Sequence, residues 1–250
     1  MAIIKKHKHY DNEETNTRPD HVLSENTSFA VSEAYRIART NLQFVSNEDG
    51  CNIIAFTSSV PAEGKTISCV NMSICLAQNN KRVLLIDADM RKPQIATTLC
   101  VTKAPGLSEL LAGFIKISDN SFKDAIQATH IPNLSVITAG KTPPNPSELL
   151  AGSRLKELLG RLAEDYDYIL IDTPPSLVVT DSLVIRNHVN GYVIVVRSDV
   201  SSMDAVSETV GKFRQVNAKI CGFILNGKKA KTSDKYSSYS RYGKYSKYGK

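Results

Sequence analysis

Residues 52–66 read NIIAFTSSVPAEGKT. An apolar run of strand length, Asn52–Thr57, breaks into a short polar turn. Gly64-Lys65-Thr66 then opens a segment, Ile67–Ala77, with the composition of a buried helix. A strand that passes through a tight loop into a helix N-terminus is where GK[ST] binds phosphate. The free N–H groups of the first turn point at the anion, and the helix dipole favours negative charge there. The P-loop pattern wants Gly in its first position; Ser59 stands there instead, while Gly64, Lys65 and Thr66 match. The expected nucleotide cradle is therefore Ser59, Ala62, Glu63, Gly64, Lys65, Thr66 and Ile67. In it Lys65 reaches the β- and γ-phosphates, and Thr66 gives its hydroxyl to Mg²⁺. With Lys65 assigned to phosphate charge and to no core contact, Lys65→Met is expected to leave the fold intact.

The strand signal of residues 52–57 recurs at Arg82–Asp87, Leu134–Thr138, Tyr168–Asp172, Tyr192–Val196 and Ile220–Leu225. Helical patterns fall between these runs, notably at Pro146–Glu164 and Ser202–Val216, and a further helix is expected over Glu33–Phe44. Continuous apolar strands alternating with helices specify an α/β fold: a P-loop NTPase-like, mostly parallel sheet with helices on both faces. The expected organisation is an extended or wrapping polar arm over 1–30, one P-loop domain over 31–227, and a disordered, low-complexity tail over 228–250.

Two of the runs end in acid. Asp87 and Asp89 close VLLIDAD, and Asp172 closes YILID. The carboxyl ends of parallel strands gather at one edge of the sheet, where ligands bind. An Asp after a strand often caps the next helix, and any one of these could do only that. Three carboxylates beside a GKT repel one another unless a cation joins them, so Asp87, Asp89, Asp172 and Thr66 are the candidate Mg²⁺ site.

Composition narrows the class. The chain has 250 residues, 42% of them hydrophobic, enough for one substantial core. No window carries the ~18 or more apolar residues that a membrane span needs. The opening MAIIKKHKHYDNEE lacks a signal-peptide apolar stretch. Five cysteines with no CxxC pair argue against a disulfide framework or a zinc knuckle and for a cytoplasmic protein. Residues 228–250 hold eight Lys/Arg and one Asp, a charge of +7, which leaves the rest of the chain at −1 of the total +6. The basic character belongs to the tail, so nucleic acid is not an expected partner.

SSVPAEGKT, VLLIDADMRKP and YILIDTPPSLVVTD resemble the Walker A, A′ and B segments of the bacterial tyrosine kinases that work with polysaccharide co-polymerases in capsule and exopolysaccharide export. EAYRIARTNLQF and the tyrosine-rich end fit the same family, in the same order, over residues ~30–250. The resemblance implies an ATP- and Mg²⁺-dependent protein-tyrosine kinase. In it Asp87 is the base that takes the tyrosine proton, Asp89 supports metal and base, and Asp172 orders the metal through water. It also implies a ring-forming homo-oligomer (an octamer in the family), a separate membrane activator that recruits the chain to the inner face of the membrane, a cognate tyrosine phosphatase, and protein substrates. The partition and division-site ATPases have related motifs. They carry a lysine where this chain has Val60, which disfavours that alternative.

Three further groups stand out. Glu33, Arg36 and Arg39, spaced E-x-x-R-x-x-R, share a helix face. As an exposed ion pair they are worth only ~0.3–0.5 kcal/mol; the resemblance makes them the self-association helix. Asn226, at the end of the last strand run, is a turn residue before Gly227 or an adenine contact. Arg197 and Arg91 are surface or loop arginines unless they face the cleft. Finally, Tyr236, Tyr239, Tyr242, Tyr245 and Tyr248 recur every third residue among Ser, Gly, Lys and Arg. That regularity is not needed for charge and suits serial phosphorylation.

Overall fold

The inner apolar runs form strands because they are buried on both faces, where β-branched side chains fit the pleat, while the last run, Ile220–Asn226, lies at the sheet edge with Phe223 and Leu225 exposed. The computed structural model describes residues 21–47 and 49–227. Seven strands make one sheet: β1 (Asn52–Ser58), β2 (Val83–Asp87), β3 (Gln127–Ala128), β4 (Leu134–Ile137), β5 (Tyr168–Asp172), β6 (Gly191–Arg197) and β7 (Ile220–Asn226). Their order is β3-β4-β2-β5-β1-β6-β7. All neighbours are parallel except the short edge pair β3–β4. Side-chain alternation splits the core in two. Ile54, Phe56, Leu85, Leu170 and Val195 face one cluster with Met72, Ile74 and Leu76. Leu84, Ile86, Ile169, Ile171 and Tyr192 face the other with Leu110, Leu158 and Phe213. Each such buried side chain contributes about 1.5–3 kcal/mol of apolar transfer.

The helices are α1 (Phe29–Val45), α2 (Lys65–Ala77), α3 (Ile95–Leu99), α4 (Leu107–Leu111), α5 (Pro146–Ala151), α6 (Ser153–Leu162), α7 (Asp181–Val184) and α8 (Met203–Gln215). Helix α1 is longer than the expected Glu33–Phe44, starting directly after Ser28. The expected single helix over Pro146–Glu164 is two, because Gly152 between them is extended (ψ 157°). Short α3, α4 and α7 and the two-residue β3 carry too few periods to show in the sequence. Before α1, Val22 and Leu23 are buried. They are clasped by Asn71 of α2: the Leu23 N–H donates to Asn71 Oδ1 (2.8 Å), and Asn71 Nδ2 donates to the His21 carbonyl (2.9 Å). Residues 1–20 of the expected arm, and the tail with its tyrosine series, lie outside the described residues. No described helix is long and apolar enough to cross a membrane.

Candidate functional site

β1 and β5 are paired at the centre of the sheet, with Phe56 opposite Asp172, and β2 brings Asp87 beside Asp172 from the other flank. The loop after β1 therefore opens beside the acidic end of β5, with that of β2 one strand further along. It turns on two left-handed residues, Ala62 (φ 66°) and Gly64 (φ 87°). A side chain at Gly64 would put a Cβ 2.1 Å from Asn226 Nδ2, so both backbone angle and space require glycine there. The loop is held from behind by its own residues and by the end of the sheet. Ser59 Oγ accepts from Thr209 (2.9 Å), and the Val60 N–H donates to Glu63 (2.8 Å). The Glu63 carboxylate also takes the Ser201 hydroxyl. Arg197 Nη1 donates to the Ala62 carbonyl (3.2 Å) and Asn226 Nδ2 to the Glu63 carbonyl (3.1 Å). Ser59 and Glu63, named from the sequence as nucleotide contacts, thus turn their side chains into the protein. Any part they take in binding runs through the backbone.

Lys65 and Thr66, the first residues of α2, face the acids. Lys65 Nζ lies 2.8 Å from Asp89 Oδ2 and 3.4 Å from Asp172 Oδ2, and Thr66 Oγ1 donates to Asp172 Oδ2 at 2.6 Å. Only 12% of the Lys65 side chain and 1% of that of Asp172 are exposed. Burial alone would lower the Lys65 ammonium; Asp172 and Asp89 outweigh it and hold it above its ordinary range. The lysine is the counter-ion of the cluster, so the expectation that it has no structural contact is corrected.

The three acids do different things. Asp87 turns toward α3: one oxygen accepts the Gln94 and Ile95 N–H groups (3.2 and 3.1 Å), the other the Asp89 N–H (3.2 Å). It therefore caps a helix, and burial followed by the charge of Asp172 pushes its carboxyl up to about 7. Asp89 borders the cleft and is fixed by the Lys92 N–H (3.0 Å). Asp172 is raised by burial against the pull of Lys65 and Thr66, and its Oδ1 is buried without a partner. That orphaned oxygen, beside the Thr66 hydroxyl, suits a hard, oxygen-seeking cation. Among the described residues no three His, Cys, Asp or Glu side chains are placed to hold an ion alone. The Thr66 hydroxyl with the Asp172 and Asp89 carboxylates is a donor set of the kind Mg²⁺ takes, one or two carboxylates with phosphate oxygens completing the shell.

Two cavities flank the loop. One of about 340 Å³ holds Lys65, Thr66 and Asp89. The other, about 580 Å³, lies between Gly64, Ile67, Asn226, Arg197 and the Tyr35 face of α1. Asn226 and Arg197 therefore sit at the site. Arg91 forms a two-pronged pair with the fully buried Asp181 (2.9 and 3.1 Å) and donates to Ser147 (3.1 Å), stitching the Asp89 loop to α5 and α7. On α1, Arg36 pairs with Glu33 (3.2 Å) at the surface, and Arg39 donates to the Cys75 carbonyl (3.3 Å). Sequence reasoning missed Asp181, Ser201, Thr209 and Asn71. Asp181 closes the YILIDTPPSLVVTD segment but was given no role there, and the other three lie outside the quoted motifs; each acts across more than 45 residues of chain, apart from the link between Asp181 and Ser147.

Residues 51–224 match the AAA domain family. The tyrosine-protein kinase YwqD of Bacillus subtilis is 36% identical over 82% of this chain and 84% of its own length. The tyrosine-protein kinase wzc of Salmonella typhimurium is 38% identical over 80% of this chain, which spans 27% of that longer protein. Among solved structures, the kinase domain of the Escherichia coli tyrosine kinase ETK superimposes with a TM-score of 0.75 at 34% identity, covering 86% of this chain and 85% of that one. The septum site-determining protein MinD of Pyrococcus horikoshii, at 23% identity over 76% of each chain and a TM-score of 0.60, shares the fold. With its phosphate loop, its two acidic strand ends and these relatives, the chain belongs to the AAA-domain proteins and, among them, to the bacterial tyrosine-protein kinases.

Proposed function

We propose that this chain transfers the γ-phosphoryl group of ATP to tyrosine, first of all to the tyrosines of its own tail, and so regulates capsule or exopolysaccharide synthesis and export. The observation that carries this is the convergence of Lys65, Thr66, Asp89 and Asp172 within hydrogen-bond reach beneath a preformed phosphate loop.

The phosphates sit against the N–H groups of residues 62–66, with the nucleoside in the cavity beside Asn226. Lys65 leaves its carboxylates for phosphate oxygens, which offer it more charge. Thr66 and Asp172, with Asp89, would hold Mg²⁺, which would supply neutralisation of phosphate charge. The tyrosine oxygen bonds to the γ-phosphorus as the bond from that phosphorus to the β,γ-bridging oxygen breaks and ADP leaves. The phenol proton passes to Asp87, a role taken from the family resemblance. Asp87 is fully buried with both oxygens accepting backbone N–H groups, so it takes the proton only by turning an oxygen from them toward the cleft. Ring assembly through Glu33, Arg36 and Arg39, as a homo-oligomer of about eight copies by resemblance, brings one copy's tail to the next copy's site. A separate membrane activator holds the ring at the cytoplasmic face of the membrane, and a phosphatase resets it.

Incubation with γ-labelled ATP and Mg²⁺, followed by phosphoamino-acid analysis, tests this. Label in phosphotyrosine is the expected result. Label released only as free phosphate would instead make the chain an assembly ATPase of the partition type.

A further inference from the structure

Helix α8 and the connection that leads into it grip the phosphate loop at two points. Ser201, just before the helix, gives its hydroxyl to the Glu63 carboxylate, which also holds the Val60 N–H (2.8 Å). Thr209, on the helix, gives its hydroxyl to Ser59 Oγ at the loop's first position (2.9 Å). Ser176 joins the same group from the loop that follows Asp172. Its hydroxyl lies 3.4 Å from Thr209 Oγ1 and 3.2 Å from the Ser58 carbonyl, which its N–H also holds (2.8 Å). Ser59, Thr209 and Ser176 are all buried, none more than 3% exposed.

The core does not ask for hydroxyls here. Valine has the shape of threonine and alanine nearly that of serine, and a buried hydroxyl carries a desolvation cost that a methyl group does not. A threonine inside a helix can turn its hydroxyl to the carbonyl four residues back, as Thr40 of α1 does toward Arg36 (3.0 Å). Thr209 sends its hydroxyl to another element instead. What the hydroxyls add over methyl groups is direction. Their bond fixes Ser59 along one line, where the chain leaves β1 and where the P-loop pattern has glycine.

We infer that Thr209 is a positioning residue for phosphate binding and transfer. Through the Ser59 hydroxyl it sets the orientation of the loop's N–H donors, and through Ser176 it holds that orientation in step with the strand end that carries Asp172. The inference rests on the nucleotide-binding part of the kinase reading above and adds to it a residue outside the cleft. Thr209 is fully buried and touches no ligand, so it acts only through Ser59. Donors oriented in advance hold charge without rearranging when it arrives, and a loop free to turn about Ser59 loses that advantage.

The test compares the full chain with Thr209→Val, Thr209→Ser, Ser59→Ala and the double variant Ser59→Ala/Thr209→Val. MgADP affinity is read by calorimetry and stability from urea midpoints. Thr209→Val and Ser59→Ala each remove the same bond, so each should weaken MgADP about tenfold, while Thr209→Ser should stay within about twofold. The double variant should bind no more weakly than either single one. Losing one partner leaves a buried hydroxyl unsatisfied, whereas losing both leaves apolar groups of similar shape. The double variant should therefore recover most of the stability that Thr209→Val loses, but not the affinity. Affinity that returns with stability makes the hydroxyls a matter of packing alone and overturns the inference. So does a Thr209→Val protein that binds MgADP as tightly as the unaltered chain. If Thr209→Val does not fold, Ser59→Ala and the double variant decide, and full MgADP affinity in either overturns the inference. Because binding is the readout, a lack of phosphotyrosine from the unaltered chain defeats the kinase reading and not this one. An unaltered chain that does not bind MgADP overturns both.

Discussion

Replacing Lys65 with Met should do more than abolish phosphoryl transfer. It should make the nucleotide-free protein unstable in a pH-dependent way. The ammonium is paired to Asp89 and Asp172 at 2.8 and 3.4 Å with only 12% of its side chain exposed. Removing one member of a buried pair costs about 3–5 kcal/mol. The cleft is open above it, so a discount to about 2–3 kcal/mol is appropriate. At about 2–4 °C per kcal/mol for a domain of this size, the melting temperature should fall by roughly 5–10 °C. The sign with pH follows from the acids. Asp87 and Asp172 bind protons more readily folded than unfolded, so they lower stability as pH rises above the ordinary carboxylate range, for Asp87 through about 7. Lys65 holds that loss down, and without it both carboxyls move further up. The gap between Lys65→Met and the unaltered chain should therefore be small near pH 5 and fully open by pH 8. Urea unfolding from pH 5 to 9 measures it. Millimolar Mg²⁺ should narrow the gap, and adding Asp89→Asn should close part of it. A gap that is absent, or independent of pH, would refute the counter-ion role.

Asp172→Asn and Asp87→Asn should each cut the phosphorylation rate by about 10²–10⁴, but raising Mg²⁺ should recover only the first. If Asp87→Asn keeps its rate and Asp89→Asn does not, the base is Asp89. Gly64→Ala should destabilise by about 2–4 kcal/mol, from a left-handed backbone plus the loss of the bond from Asn226 to Glu63; in an Asn226→Ala background its cost should shrink by about 1 kcal/mol or more, as denaturant midpoints will show. Joint replacement of Glu33, Arg36 and Arg39 by Ala should reduce the particle mass in light scattering while lowering stability by only about 0.5–1.5 kcal/mol, from the Arg39 bond to the Cys75 carbonyl, since the Arg36–Glu33 pair is exposed. Deleting residues 228–250 should remove nearly all autophosphorylation but spare a separate tyrosine peptide; phosphotyrosine mapped mainly to Tyr35 or Tyr166 in the full chain would contradict this.

The parallel core was legible because strands buried on both faces must be apolar at every position, as in VLLID and YILID, and no other local pattern imitates that over five separate runs. Helix boundaries were less so. Nothing in Pro146–Glu164 marks Gly152 as a break rather than a tolerated glycine, because its extended angle is set by where α5 and α6 pack. The site was legible as a set of motifs and not as a network. Lys65, Thr66, Asp89 and Asp172 do converge. Asp87 meets them with its charge yet spends its oxygens on the start of α3, the capping use that sequence leaves open for any strand-end acid. Asp181 and Arg91 each stood in a quoted segment, but their pairing could not be read because ninety residues separate them.

How the phosphate loop is supported explains why its sequence can depart from the P-loop pattern. Ser59 stands where glycine is usual, and the position tolerates a side chain because the hydroxyl has a place to go, bonded to Thr209 in the interior. Gly64 has no such freedom, closed off by Asn226 and by its own φ. Glu63, Arg197 and Asn226 then fix the loop's carbonyls and one N–H from the protein side, so the donors facing the cleft are oriented before any phosphate arrives. Preorganised dipoles stabilise charge without reorganising when it appears. The same contacts tie the loop to the end of β7, two residues before the tyrosine-bearing tail begins.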